Sequence, residues 1–272
     1  MIQTVRPLRE NSMELDKIIS GDSAVVLQSF PPDCIDLTVT SPPYDNLRTY
    51  NGFTFNFEAI AKELYRVTKQ GGVVVWVVGD ATVEGSETGT SFTQALYFKS
   101  LGFKLHDTMI YEKYASTWNV TSKRYRQNFE YMFVFSKGSP KTFNPIRDIK
   151  VKNMKPRIIK NNRTGVSNYS LYTPKNEYTV RNNIFTYPVG GKKVNHPAVF
   201  PEALAKDHII TWSNEGDVVL DCFSGSGTTP KMAKLLNRHY ISIDTSAEYV
   251  ALANERLAQV ERGLTPREPD KN

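Results

Sequence analysis

The sequence predicts an α/β fold with a buried parallel β-strand at its centre. Val73–Val78 is a fully apolar run, which is typical of a central parallel strand covered on both faces. Cys34–Val39 is a second, largely apolar run that predicts a buried strand. Asp217–Asp244 then combines strand, turn, helix and strand patterns. The 272 residues, 40% of them hydrophobic, can form one large α/β domain or a domain with an insert.

The first half of the chain alternates strand and helix patterns. Residues 57–68 carry apolar side chains at helical spacing, with Asn56 as the predicted N-cap and Gly71 as the predicted stop. The other elements of this half are a helix at Ser91–Leu101 closed by Gly102 and strands at Lys104–Tyr111 and Tyr131–Phe135. These patterns continue the α/β alternation beyond the two apolar runs.

The second half contains a compact βαβ pattern. Its parts are strand Asp217–Phe223, turn Ser224–Thr229, helix Pro230–Leu236 and strand His239–Ile243. An acid, Asp244, follows the second strand 19 positions after Gly225, near the offset expected for a carboxylate that binds ribose hydroxyls. The pattern therefore favours a nucleoside-binding unit over a plain turn. A helix is predicted at Ala247–Arg262.

Thr40-Ser41-Pro42-Pro43-Tyr44 follows directly after the strand Cys34–Val39. The two prolines fix two φ angles and remove two backbone donors, so the nearby carbonyls stay able to accept hydrogen bonds from a ligand. A hydroxyl precedes the pair and an aromatic ring follows it. This set suits a planar ring that bears an exocyclic amino group, although a simple proline-rich turn at the end of a strand is the alternative.

Positive charge is concentrated between Pro140 and Lys193. This segment holds twelve lysines and arginines against Asp148 and Glu177, a net charge of +10, whereas the whole chain carries +6. The remainder is therefore mildly acidic, at −4. Asparagines and tyrosines lie between the cations, and such a mixture can neutralise phosphates and reach base edges. We interpret the segment as a DNA-binding insert, with a solvated basic loop as the alternative.

Three motifs together resemble those of the amino-group DNA methyltransferases. Thr40–Tyr44 is similar to the catalytic motif of that family, and Asp221–Thr229 is similar to its S-adenosylmethionine loop. Asn195–Pro201 resembles the segment that precedes the loop. The catalytic motif comes first here and the cofactor motif last, which is the order of the permuted β group. The resemblance extends from about Asp16 to Leu257.

The resemblance implies a Rossmann-like class I methyltransferase fold that is circularly permuted, with a mostly parallel seven-stranded sheet. Residues 1–139 would form the catalytic half, 140–193 a basic target-recognition insert, 194–262 the S-adenosylmethionine-binding half and 263–272 a flexible tail. The permutation is physically possible because the N-terminal part of the chain can supply the strand that follows Asp244.

The implied reaction is direct methyl transfer from S-adenosylmethionine to an amino group of a base flipped out of duplex DNA. Ser41 and the Pro42 carbonyl would accept its N–H hydrogen bonds, Pro43 would keep the backbone rigid, and Tyr44 would stack on the base. Family members with Ser at position 41 usually modify cytosine N4, so this base is predicted. Adenine N6 is the alternative.

The implied cofactor contacts cluster around the glycine turn. Asp244 would hold the ribose, while Asp22 would lie near the adenine amino group or serve only as a helix cap. The full set of implied cofactor residues is Asp22, Phe200, Asp221, Phe223, Gly225, Gly227, Thr228, Thr229 and Asp244. The residues predicted to bind DNA are Lys150, Lys152, Lys155, Arg157, Lys160 and Arg163.

Other classes of protein fit parts of the sequence. The glycine turn could hold NAD in a dehydrogenase-like enzyme, but Pro230 interrupts the usual glycine pattern and the basic segment would be unexplained. A non-catalytic DNA-binding protein is a third possibility.

The four histidines lack metal-ligand spacing, so no metal is predicted. Neither a signal peptide nor a membrane span is recognised, which predicts a cytoplasmic protein. The family resemblance further implies a prokaryotic protein that associates with the nucleoid through DNA. A cognate restriction endonuclease and the oligomeric state stay open.

Overall fold

The structure is a computed structural model and describes residues 13–43, 56–114, 123–161, 168–188 and 201–263. Six α-helices are present in these ranges: α1 (Ser23–Val26), α2 (Phe57–Val67), α3 (Thr90–Ser100), α4 (Glu202–Trp212), α5 (Thr228–Leu235) and α6 (Ala247–Ala258). None of these helices is long and apolar enough to cross a membrane.

Fourteen strands are present in the same ranges. They are β1 (Lys17–Ser20), β2 (Ile35–Thr40), β3 (Thr68–Val78), β4 (Thr82–Val83), β5 (Ser86–Glu87), β6 (Lys104–Lys113), β7 (Phe129–Ser136), β8 (Arg147–Lys150), β9 (Arg157–Asn161), β10 (Asn168–Tyr172), β11 (Tyr178–Val180), β12 (Ile184–Tyr187), β13 (Val218–Asp221) and β14 (His239–Asp244). Every strand predicted from the sequence is among them. Their bounds shift by at most two residues, except that β3 begins at Thr68 rather than at Val73.

One large sheet organises the chain, in the order β1-β14-β13-β2-β3-β7-β6-β12. Five of its seven pairings are parallel, and only β7 pairs antiparallel with β3 and β6. The mostly parallel sheet is therefore confirmed, but it has eight strands rather than seven. The additional strand is β12, which lies inside the segment 140–193 that was assigned to the insert. Its β-branched and aromatic residues extend the edge next to β6.

The two ends of the chain meet in the sheet. β1 pairs parallel with β14, and Ser20 lies opposite Asp244. The backbone N–H of Asp16 also donates to the Tyr240 carbonyl, at 2.7 Å. The N-terminal segment therefore supplies the strand beside β14, as the permuted order predicted.

The predicted helix at 57–68 is present, but its predicted stop is wrong. Asn56 caps α2 by accepting a hydrogen bond from the Ala59 N–H, at 3.1 Å. The helix ends at Val67 because Thr68 becomes extended and pairs with Ile35 in the sheet. Gly71, with φ of +81°, lies inside β3 and does not end the helix.

The predicted helix at 247–262 is shorter than expected, since α6 ends at Ala258. The chain beyond it turns back, and Gly263 donates its N–H to the Lys234 carbonyl. The Arg262 guanidinium binds the Arg238 carbonyl at 2.6 Å and Asp16 at 2.7 Å. Arg262 therefore fastens the turn to the sheet edge instead of continuing the helix. Residues 264–272 of the predicted flexible tail lie outside the described residues.

Residues 145–183 form a second compact unit, separate from the unit of residues 1–144 and 184–272. Among its described residues, 145–161 and 168–183, the regular structure consists of two antiparallel strand pairs, β8 with β11 and β9 with β10. The strands have three to five residues each. The unit lies within the segment 140–193 predicted as the insert.

A buried histidine makes the stability of the larger unit depend on pH. His208 on α4 is 1% exposed, its ring stacks 6.0 Å from Phe185, and Nε2 lies 3.2 Å from the Met132 sulfur. Burial lowers the pKa of His208 to about 3. Below about pH 6.5 the unfolded chain binds a proton at His208 that the folded chain does not bind, so the contribution of His208 to stability falls as pH falls.

We expect His208→Gln to flatten this dependence. Between pH 6 and pH 5 the wild-type protein should lose about 1 kcal/mol of unfolding free energy through His208, and the variant should not. Urea unfolding at the two pH values measures the difference. His106→Gln is the control, and an unchanged pH slope for the His208 variant would contradict the assignment.

Candidate active site

The carboxyl ends of three neighbouring parallel strands bring the sequence motifs together. β13 lies between β14 and β2, with Leu220 opposite Thr38 and Asp221 opposite Ser242. The proline motif leaves β2, and the glycine turn leaves β13, at this same edge. In open α/β sheets, ligands bind in the crevice outside the carboxyl ends of the strands. The edge is therefore the candidate active site.

A buried side-chain hydrogen bond joins the two motifs directly. Thr40 Oγ1 donates to Asp221 Oδ1 at 2.7 Å, and both residues are almost fully buried. On the next residues of the chain, Ser41 and Pro43 are half-buried and Pro42 is buried. Thr229 Oγ1 adds a second link by donating to the Val39 carbonyl at 3.3 Å. The backbone of the proline motif is thus fixed against the start of the glycine turn.

The pKa of the Asp221 carboxyl is unusually high for an aspartate. Burial raises the pKa of its carboxyl to about 6, although hydrogen bonds from Thr40, Phe223 and Thr229 act in the opposite direction, and the charge of Asp244 adds to the rise. The Phe223 N–H donates to the same oxygen as Thr40, at 3.0 Å. A cationic ligand at this edge would favour the ionised form of Asp221.

Asp244 shapes the glycine turn. Its Oδ2 accepts the Gly225 N–H at 2.7 Å, and its Oδ1 accepts the Ser246 N–H at 2.9 Å. The turn closes on Gly227, which has φ of +77° and caps α5. A Cβ at Gly227 would lie 2.6 Å from the Cβ of Ala253, so only glycine fits between α5 and α6. The turn is therefore fixed both by its carboxylate and by close helix packing.

Two hydroxyls in the turn have no hydrogen-bond partner within the part of the chain that the structure describes. Ser224 Oγ and Thr228 Oγ1 are both buried at the N-terminal end of α5. Buried polar groups are normally satisfied, so two orphaned hydroxyls mark a place where a polar ligand can bind. Backbone N–H groups at a helix N-terminus favour a carboxylate. The turn thus fits the carboxylate of an amino-acid moiety such as that of S-adenosylmethionine.

Asp22 has a structural role that the sequence offered as an alternative. It caps α1, where its Oδ1 accepts the Ala24 N–H at 2.7 Å. The adjacent Ser23 donates its hydroxyl to the Cys222 carbonyl at 2.6 Å and so ties α1 to the end of β13. Asp22 lies at the site edge, and its contact with a cofactor stays a prediction.

An aromatic cluster supports Phe223, which the sequence placed in the cofactor site. The Phe223 ring meets Trp76 edge to face at 6.1 Å. Trp76 is fully buried, pairs with Thr40 across β2 and β3, and donates its indole N–H to Gln94 at 2.8 Å. Sequence reasoning did not assign Trp76 and Gln94 to the site, because nothing in their local pattern separates them from core residues.

Tyr44, Phe200 and Arg163 lie outside the described residues, so their predicted roles are not addressed by the structure. The same holds for Asn195–Phe200, the segment before Pro201. The remaining predicted catalytic and cofactor residues all lie on the elements that meet at the carboxyl edge of the sheet.

Comparison with known proteins decides the family. Residues 35–255 match the N6/N4 DNA methylases. The chain belongs to this family of DNA methylases. It is 58% identical over 239 residues to the orphan methyltransferase M.BamHII of Bacillus amyloliquefaciens, with 83% of this chain and 89% of the relative covered. It is 27% identical to the type II methyltransferase M.SmaI of Serratia marcescens, covering 91% and 92% of the two chains.

Solved structures agree on the fold of this DNA methylase. The cytosine-N4-specific PvuII DNA methyltransferase superposes with a TM-score of 0.65 at 23% identity, covering 88% of this chain and 85% of that one. The complex of M1.HpyAVI with S-adenosylmethionine gives a TM-score of 0.62 at 24% identity, covering 89% of this chain and 99% of that one. The predicted class I methyltransferase fold is confirmed, and the predicted cofactor, S-adenosylmethionine, is supported. The NAD-binding alternative is set aside.

The compact unit of residues 145–183, called the basic unit below, exposes lysines that lack acidic partners. Within the described part of the unit, Arg181 pairs with Asp148, while Lys150, Lys152 and Lys155 have no ion-pair partner. The surface of the unit also has an open, shallow pocket of about 510 Å³. Its polar and aromatic lining includes Arg147, Lys175, Asn176, Tyr172 and Tyr178. Cations and aromatic rings of this kind suit phosphates and unstacked bases.

We expect Asp244→Ala to weaken S-adenosylmethionine binding about 10-fold or more, because the variant loses both the predicted ribose ligand and the acceptor that fixes Gly225. Calorimetry without DNA measures the dissociation constant. Asp217→Ala is a matched control, since Asp217 accepts the Asn214 N–H at 2.7 Å before β13, at its other end. An unaltered dissociation constant for the Asp244 variant would remove this residue from the site.

Proposed function

We propose that this DNA methylase transfers a methyl group from S-adenosylmethionine to the exocyclic N4 of a cytosine flipped out of duplex DNA. The observation that carries the proposal is the hydrogen bond from Thr40 to Asp221, which joins the proline motif to the cofactor turn. An amino group held by the motif would therefore lie next to the methyl donor. Ser224, Thr228 and the start of α5 fit the carboxylate of that donor.

The protein's contribution to this chemistry is to hold the amino group and change its electronic state. S-adenosylmethionine supplies an electrophilic methyl when bound. The exocyclic nitrogen is a weak nucleophile because its lone pair is delocalised into the ring. Hydrogen bonds from its two N–H groups to Ser41 Oγ and the Pro42 carbonyl would localise that lone pair. The pyrrolidine rings of Pro42 and Pro43 keep the backbone from rotating away.

Ser41 supports cytosine as the target base. It stands where family members that modify cytosine N4 usually carry serine, while those that modify adenine N6 usually carry aspartate or asparagine. Adenine N6 is the second candidate because the family includes enzymes of both kinds.

Mass spectrometry of enzymatically digested DNA tests the target base. Duplex DNA is incubated with the protein and isotopically labelled S-adenosylmethionine, and the nucleosides are separated. We expect label in N4-methyldeoxycytidine. Label only in N6-methyldeoxyadenosine would replace the cytosine assignment, and no label in any nucleoside would overturn the proposed activity on DNA.

We propose that the basic unit of residues 145–183 contacts the DNA backbone. Replacing Lys150, Lys152 and Lys155 with alanine should lower affinity for duplex DNA. The plot of log affinity against log salt concentration should flatten by about 0.9 for each phosphate that the variant no longer neutralises. Fluorescence anisotropy at several salt concentrations measures both quantities.

A control variant removes the same number of lysines from the larger unit, which consists of residues 1–144 and 184–272. Lys62, Lys99 and Lys104 are exposed there and can be replaced with alanine together. If the control flattens the salt dependence as much as the test variant does, net charge rather than the basic unit governs DNA binding.

We further propose that this chain acts without a paired endonuclease. The relative that is 58% identical is an orphan methyltransferase, which favours this arrangement over the restriction-modification pair considered from the sequence. Methylation of the host genome in the absence of any nuclease with the same recognition sequence would support it.

A further inference from the structure

Arg256 on α6 reaches into the glycine turn from outside the sequence motif. Its guanidinium donates to the Ser226 carbonyl and, at 2.9 Å, to the Ser226 hydroxyl. Nη2 also lies 2.8 Å from Glu202 Oε1. The Arg256 side chain is only 14% exposed, so these charge-assisted bonds are partly shielded from water.

Glu202 connects Arg256 to a second segment at the candidate site. It is the first residue of α4 and follows Pro201, where the motif Asn195–Pro201 ends. The same carboxylate oxygen accepts a hydrogen bond from Lys231 on α5, at 2.7 Å. Glu202 therefore binds cations from two helices, and Arg256 links the start of α4 to the turn.

The glycine turn at Ser224–Thr229 needs the support of Arg256 because two of its residues are glycines. Ser226 lies between Gly225 and Gly227, and both glycines have positive φ. Glycines carry the largest conformational entropy of any residue, so a turn built on two of them is costly to order. A largely buried guanidinium that holds the central carbonyl and hydroxyl restricts the turn before a ligand arrives.

We propose that Arg256 is a positioning residue that, together with Glu202, presets the glycine turn for S-adenosylmethionine. The inference rests on the proposed placement of the cofactor against this turn. Arginine suits the role because its planar fork can hold Ser226 and Glu202 at the same time. Lysine, a single point of charge, would satisfy only part of this geometry.

The test compares Arg256→Ala with a closely matched control, Arg262→Ala. Arg262 also donates to one backbone carbonyl and one carboxylate, those of Arg238 and Asp16, but it lies away from the turn. Calorimetry with S-adenosylmethionine in the absence of DNA gives the dissociation constant. Thermal denaturation of each variant reports the loss of stability.

We expect Arg256→Ala to raise the dissociation constant about 10-fold, with Arg256→Lys intermediate and Arg262→Ala unchanged. The loss should appear mainly as a raised KM for S-adenosylmethionine and less as a lowered kcat, because Arg256 touches no reacting atom. An unchanged dissociation constant, or an equal rise in the Arg262 variant, would overturn the proposal. If the wild-type protein itself does not bind S-adenosylmethionine, the cofactor assignment fails instead.

A double-mutant cycle tests the part played by Glu202. If Glu202 acts through Arg256, Glu202→Ala should weaken binding, and adding it to Arg256→Ala should have little further effect. Independent, multiplicative losses of affinity would remove Glu202 from the arrangement.

Discussion

Ser41→Ala is expected to lower the turnover of the methylase about 100-fold, while the dissociation constant of S-adenosylmethionine changes less than about twofold. In the proposed mechanism the hydroxyl accepts an N–H bond that strengthens as charge develops on the amino nitrogen, and one such preorganised group is worth about 100-fold in rate. Ser41 lies on the proline motif and not on the cofactor turn, so ground-state binding of the methyl donor should be spared.

Steady-state kinetics with labelled methyl donor, alongside calorimetry, separates the two quantities. Ser136→Ala is the control, because Ser136 is a buried serine that donates to the Gly138 carbonyl at 2.8 Å. It lies opposite Val73, three residues along β3 from Trp76, the residue that pairs with Thr40. Full turnover by the Ser41 variant would rule out the proposed hydrogen bond. A loss of cofactor affinity equal to the loss of rate would place Ser41 in the cofactor site instead.

The parts of the site that could be predicted are those encoded by short stretches of sequence. A proline pair after an apolar run, and two glycines between a strand and a helix, each specify a local backbone. The contact between Thr40 and Asp221 could not be predicted in the same way, since the residues are 181 positions apart. This contact forms because β2 and β13 are neighbours in the sheet. Local sequence patterns do not give the order of strands, so only the family resemblance could indicate it.

The errors also have physical causes. Gly71 is typical of a helix stop, but the helix ends before it, at Val67, because Thr68 pairs with Ile35 in the sheet. β12 was placed with the insert because a four-residue strand beside a basic segment gives a weak signal. Arg256 lies in an ordinary helical pattern, and its role at Ser226 follows only from the packing of α6 against the turn.

Asp221→Asn is expected to weaken S-adenosylmethionine binding about 30-fold at about pH 8, because the variant loses a buried carboxylate that can interact with a cationic ligand. The same change should stabilise the ligand-free protein at that pH. Burial raises the pKa of Asp221 to about 6, so under these conditions the folded protein carries a charge that its surroundings disfavour. Asparagine keeps an oxygen that can accept from Thr40 without that charge.

The pH dependence distinguishes this explanation from a simple loss of packing. Since the folded carboxyl holds its proton more tightly than the unfolded one, the contribution of Asp221 to stability should fall as pH rises from about 4 to about 6, which is opposite in direction to the contribution of His208. The unfolding free energy of the wild type relative to that of Asp221→Asn should therefore fall over this range. Wild-type affinity for S-adenosylmethionine should drop as pH falls through about 6, while the variant's weak affinity should not change there. Asp36→Asn is the matched control, because Asp36 accepts the Val218 N–H at the opposite end of β13. A variant that retains the wild-type pH profile would show that another group binds the cofactor's positive charge.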